Sequence, residues 1–107
     1  MPIYLDVNMM GADPGEIGFP HLLVCMGVVC VTDDKLLGVH LTDVPNARKV
    51  MPHFATWLGT KGVGAADIRT IYASANMVIR YGEAASAATL NSRRLGELRT
   101  LGAALGY

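Results

Sequence analysis

The chain has 107 residues, with 9 basic and 9 acidic side chains and a formal net charge of zero. Hydrophobic residues make up 51% and charged residues 17%, a balance that excludes intrinsic disorder. The missing basic excess argues against a protein held on nucleic acid by phosphate contacts. The length fits a single domain, residues 1–107, around one core.

In chain order, residues 2–8 alternate Ile3, Leu5 and Val7 against Tyr4, Asp6 and Asn8, which predicts a half-buried strand. Residues 9–20 are punctuated by Gly and Pro and read as a loop. Residues 21–32 are apolar and β-branched, Asp33-Asp34-Lys35 reads as a turn, and residues 36–42 return, so a β-hairpin is expected. The period then changes. Val44, Ala47, Met51, Phe54 and Leu58 recur at helical spacing, with Thr42 or Asp43 as cap and Pro45 in the first turn. Pro52 on the outer face predicts a kink, or a helix proper that begins near residue 49, and Gly59 and Gly62 end it. Residues 68–75 read as another strand. Residues 83–90 read as a short helix, and Asn91 or Ser92 caps a segment with Leu95, Leu98, Leu101 and Leu105 on one side. Strands and helices mixed around a hairpin give an α+β class, a small β-sandwich or mixed sheet with flanking helices.

No stretch approaches the ~20 apolar residues of a membrane helix. The first residues reach Asp6 without a basic region, so no secretory signal is expected and a cytoplasmic protein with reduced thiols is the default. Cys25 and Cys30 are five apart, which places them on opposite faces of a strand and opposes a disulfide between them. Charge is uneven: residues 1–43 carry six acids and one base, residues 44–107 three acids and eight bases. Complementary solvated faces and a surface that selects a charged partner are the two readings.

The hairpin brings chemistry together. With Asp33-Asp34 as a two-residue turn, Thr32 opposes Lys35 and His40 opposes Gly27. One face then carries Cys25, Gly27, Val29, Val31, Leu36, Gly38, His40 and Thr42. The other carries Met26, Val28, Cys30, Leu37, Val39 and Leu41 and is wholly apolar, which favours this register. A loop one residue longer would put Cys30 beside His40 instead. In the first register Cys25 and His40 are diagonal neighbours, about 7–8 Å apart at Cα. An imidazole there can take the thiol proton, the thiolate can attack an acyl carbon, and the imidazolium can return the proton to a leaving amine.

Leu23-Val24-Cys25-Met26-Gly27-Val28-Val29-Cys30-Val31-Thr32, the Asp-Asp turn, and Leu37-Gly38-Val39-His40-Leu41-Thr42 resemble the catalytic stretch of Cys-His glutamine deamidases. That superfamily includes the chemoreceptor deamidases of the CheD type and the catalytic domains of cytotoxic necrotizing factors. The resemblance covers about residues 22–43. It implies a CheD-like fold and hydrolysis of a glutamine side-chain amide on a target protein, with Cys25 as nucleophile and His40 as acid and base. Gly27, Gly38 and Thr42 would neighbour the substrate, the small glycines leaving room for its amide. The chain departs from the family where Leu-Val-Cys replaces a glycine-containing approach to the cysteine, and where Phe19 stands at the position of a threonine. The third group that orients His40 is then a backbone carbonyl near the end of the 2–8 strand, or the side chain of Asn8 or Asp6. The resemblance leaves a housekeeping deamidase and a delivered toxin or effector as equal contexts.

Against these stand blander readings. Cys25 can be a small core hydrophobe, His40 a structural histidine bonded to backbone, and the whole a non-catalytic binding or adaptor module that keeps the fold. Cys30 reads as core, His53 as solvated, and His21 as a loop residue or a substrate-side group. A zinc site from His21, Cys25, Cys30 and His40 is opposed by the opposite-face cysteines, so no metal and no cofactor is expected. The partner implied is a protein presenting a glutamine, not nucleic acid or a membrane. The leucine stripe of residues 95–105 is core, or a homodimer face where it is exposed.

Overall fold

The computed structural model describes residues 3–20, 22, 24–82 and 86–107, apart from the side chain of Val78. The elements run β1 (Ile3–Tyr4), β2 (Met10–Asp13), β3 (Ile17–Gly18), β4 (Met26–Val31), β5 (Leu36–Leu41), α1 (Val44–Thr60), a 3-10 turn (Ala65–Asp67), β6 (Thr70–Ala75), α2 (Met77–Tyr81) and α3 (Ala87–Ala104). This is an α+β fold, a sheet with flanking helices. Four antiparallel strands stand in the order β2-β5-β4-β6, and β1 and β3 form a separate parallel pair.

The hairpin takes the register that the apolar face demands. Gly27 pairs with His40, Val28 with Val39 and Cys30 with Leu37, and the Thr32 amide donates to the Lys35 carbonyl at 3.0 Å across the Asp33-Asp34 turn. Met26, Val28, Cys30, Leu37, Val39 and Leu41 are at most 1% exposed and pack against Ala47, Met51, Phe54 and Leu58 of α1. Each such side chain, taken out of water, contributes about 1.5–3 kcal/mol.

Helix α1 carries the expected stripe. Asp43 caps it, its carboxylate accepting from the Asn46 amide at 3.0 Å. The helix runs from Val44 through Pro52 to Thr60 rather than beginning near residue 49. Pro52 faces out, and Gly62 (φ 73°) supplies the left-handed turn after the helix end.

The N-terminal fifth differs from its sequence reading. The strand expected over 2–8 is reduced to Ile3–Tyr4, because Asn8 adopts φ 61° and turns the chain. Asn is one of the few residues that tolerates this region. The expected loop 9–20 contains β2, an edge strand whose Gly11 pairs with Gly38, and β3. Residues 77–81 add a helix that the sequence reading passes over. Ser86 rather than Asn91 or Ser92 caps the last helix, which runs unbroken to Ala104. It buries Leu90, Glu97, Leu101 and Gly102, while Leu95 is 39% exposed, so the stripe is rotated from the expected one. His21, at the front of the expected 21–32 strand, and residues 83–85 of the expected 83–90 helix lie outside the described residues.

The sheet face away from the helices is a glycine trough, with Gly11, Gly38 and Gly27 on adjacent strands β2, β5 and β4. The N-terminal segment beds into it. A Cβ on Gly11 would stand 2.8 Å from Ile3 Cδ1 and from Leu5 Cδ2, and one on Gly27 would stand 2.4 Å from Phe19 Cδ2. The trough thus serves close approach of a second, smaller apolar layer.

Candidate functional site

His40 lies on the trough face of β5 and is 0% exposed. Its Nδ1 is 2.7 Å from the Leu5 carbonyl oxygen. A carbonyl only accepts, so Nδ1 carries a proton, and in the neutral ring Nε2 holds the free lone pair. That is the tautomer a general base needs. Nε2 is buried and has no hydrogen-bond partner among the described residues. An unpaired buried acceptor costs about 1–3 kcal/mol, so the fold maintains it at some expense.

Cys25 immediately precedes β4. Its free thiol is 7% exposed, and, like Leu5, it is buried without belonging to the helix-side core. The Gly27–His40 pairing puts Cys25 two residues along from the partner of His40, on a diagonal across the strands. No hydrogen bond joins the thiol to Nε2 in this conformation.

The carbonyl of Leu5 stands where the sequence reading sought a third group. The side-chain candidates are engaged elsewhere: Asp6 Oδ1 accepts from the Val7 amide at 2.9 Å, and Asn8 Oδ1 accepts from Asn46 Nδ2 at 3.3 Å. Asn8 contributes through its backbone, its amide donating to the His40 carbonyl at 2.8 Å. Thr42 contributes its carbonyl, which accepts from Arg80 Nη1 at 2.5 Å.

The space over Gly27 and Gly38 is taken by Phe19 rather than left open for a substrate amide. Its ring stands edge-on to the His40 ring with centroids 6.0 Å apart. Four surface grooves, of about 330 to 450 Å³, open elsewhere among the described residues, and neither Cys25 nor His40 lines any of the four. Cys30 sits on the opposite face at 0% exposure, and burial pushes its thiol up to about 12. That thiol stays protonated at neutral pH and is no nucleophile. His53 is exposed on α1.

Arg80, Tyr81 and Glu97 escape the sequence reading. Arg80 Nε and Nη2 donate to the two Glu97 oxygens at 2.7 and 2.5 Å, and Tyr81 Oη donates to Glu97 Oε1 at 2.5 Å. Arg80 Nη1 also donates to the Val24 carbonyl at 2.6 Å. Together with its bond to Thr42, this ties the strand ends that flank Cys25 and His40. Burial, with Glu97 as acceptor, pushes the Tyr81 phenol upward. The available signal, for Glu97 alone, was its helical spacing from Leu90 and Leu101.

Searches of protein-family models, curated proteins and solved structures find no match to the chain.

Proposed function

We propose that the chain is a Cys-His amidohydrolase that converts glutamine side chains of a partner protein to glutamate. The observation that carries this reading is the His40 tautomer: Nδ1 anchored on Leu5 and Nε2 bare, on the strand that pairs with the one Cys25 precedes. In the reaction Nε2 takes the Cys25 proton and the thiolate attacks the amide carbon. The imidazolium then donates that proton as ammonia leaves. A thioester remains. His40 draws a proton from water, the hydroxide attacks the thioester carbon, and the carboxylic acid departs as the thiol is restored. Because Phe19 covers His40 and Cys25 is 7% exposed, the reaction requires the N-terminal layer to lift when substrate docks. Among the described residues no helix is long and apolar enough to cross a membrane. A cytoplasmic housekeeping enzyme and a delivered effector both fit the proposal.

A second reading, a non-catalytic binding or adaptor module, is favoured by the packing of Phe19 over Gly27 and His40. Incubation with cell-lysate proteins, followed by ammonia assay and mass spectrometry of glutamine-to-glutamate conversion, separates the two. The enzyme reading expects conversion that Cys25→Ser and His40→Gln each abolish while circular dichroism is unchanged. Equal, background-level release from all three proteins sinks it. Salt-sensitive co-purification with a partner then supports the module.

A further inference from the structure

A groove of about 450 Å³ opens between α1, α2 and α3, lined by Val44 and Arg48 from α1, Arg80 and Tyr81 from α2, and Arg93 and Glu97 from α3. Its floor is paired internally. Glu97 spends both oxygens on Arg80 and Tyr81, and Arg80 Nη1 spends its two donors on the carbonyls of Val24 and Thr42. The charges of the floor therefore cancel. The rim is different. Arg48 and Arg93 are exposed, and neither forms an ion pair among the described residues. Arg93 is held in place by Nη1 donating to the Tyr81 carbonyl, beside Gly82, where a Cβ would come within 3.1 Å of that nitrogen. A carbonyl partner orients the guanidinium without neutralising it. The rim thus adds two uncompensated positive charges above a neutral floor, on the half of the chain that carries eight of the nine bases. Guanidinium groups pair with carboxylate and phosphate through parallel N–H donors, and a pocket with an apolar wall beside them takes an organic body as well.

We infer that this groove binds a small organic anion, a carboxylate or phosphate on an apolar body, whose charge is held by Arg48 and Arg93 and whose body lies against Val44. The inference is independent of what Cys25 and His40 do.

Amide chemical-shift titrations of the whole chain at low salt with phenyl phosphate, benzoate and neutral benzamide test it. Saturable shifts are expected in α1 and α3 with one or both anions, and none with benzamide; the stronger of the two identifies the head group. Arg48→Gln, a residue with no hydrogen bond among the described residues, and Arg93→Gln are each expected to weaken binding about 10- to 100-fold. Equal binding of benzamide, no saturable binding of either anion, or undiminished binding in the Arg48→Gln/Arg93→Gln double variant overturns the inference. So does salt-sensitive dimerisation that the double variant abolishes while neither anion binds; the acidic segment of a second copy would then be the occupant.

Discussion

Replacing Gly27 by alanine drives a methyl group into Phe19. The new Cβ would stand 2.4, 2.5 and 2.8 Å from three atoms of that ring, where ordinary contact begins at 3.4 Å. The ring must retreat by about 1 Å to recover a normal carbon–carbon separation. Three ring atoms are involved at once, so rotating the tip of the side chain does not relieve the overlap. The whole ring must leave the trough and its edge-on contact with His40. Overpacking of this kind costs about 1–3 kcal/mol. Urea unfolding monitored by circular dichroism measures it, with Gly15→Ala as control. Nothing lies within 4 Å of a Cβ at Gly15, so that change is expected to stay within about 0.5 kcal/mol of the parent. In a Phe19→Ala background the clash has no partner. The Gly27→Ala penalty is then expected to fall by most of its value, a coupling of about 1–3 kcal/mol. A Gly27→Ala protein as stable as the parent, or strictly additive losses in the double variant, refutes the trough packing and with it the covered state of His40.

Three other outcomes follow from the same geometry. Glu97→Ala leaves the Arg80 guanidinium buried without its carboxylate, since the paired side chains are 0% and 5% exposed, and is expected to cost about 3–5 kcal/mol in denaturant titration; Glu97→Gln, which keeps an acceptor, costs less. The Glu16 and Gly15 amides donating to Asp13 Oδ2 hold its carboxyl below the ordinary 3.8. A lowered folded value gives stability that is complete above the unfolded value and is lost as pH falls through the folded one. The stability gap between the parent and Asp13→Asn, followed by thermal melts, is therefore expected to be full at neutral pH and to shrink below pH 3.8. Cys30, with its thiol raised to about 12 and no exposed surface, is expected to resist alkylation until the chain unfolds, so that its labelling midpoint in urea coincides with the loss of helix signal.

The hairpin was legible because its two faces differ so sharply. One register makes Met26, Val28, Cys30, Leu37, Val39 and Leu41 a continuous apolar surface, and a shift of one residue would turn Gly27 and His40 toward the helices in its place. Helix α1 was legible for a similar reason, since its stripe matches the apolar sheet face. The N-terminal segment was not, because its structure is decided at a distance. The strand β2 sequence Met-Gly-Ala-Asp has no β-branched residue, and it becomes a strand only because Gly11 finds Gly38 on β5. Local periodicity carries no trace of such a pairing. Gly27 and Gly38 were assigned to the right face but to the wrong neighbour, as Phe19 fills the space they leave. Arg80 and Glu97 meet across 17 residues, and nothing in the sequence shows that two charges so far apart will be buried together. Of the candidate site, the cross-strand placement of His40 was legible from the turn. The sequence leaves its anchor open between a carbonyl near the end of the 2–8 strand and the side chains of Asn8 and Asp6, and only the fold identifies it as the Leu5 carbonyl.

The rate at which iodoacetamide alkylates Cys25 in the native protein, with Cys30 as internal reference and His40→Gln as comparison, tests the central claim most directly. The Cys25–His40 account predicts that Cys25 reacts, through openings of the N-terminal layer that leave the helix-side core folded, while Cys30 does not, and that His40→Gln slows Cys25 about a hundredfold with the fold intact. Equal labelling of the two cysteines, or a Cys25 rate indifferent to His40, contradicts it.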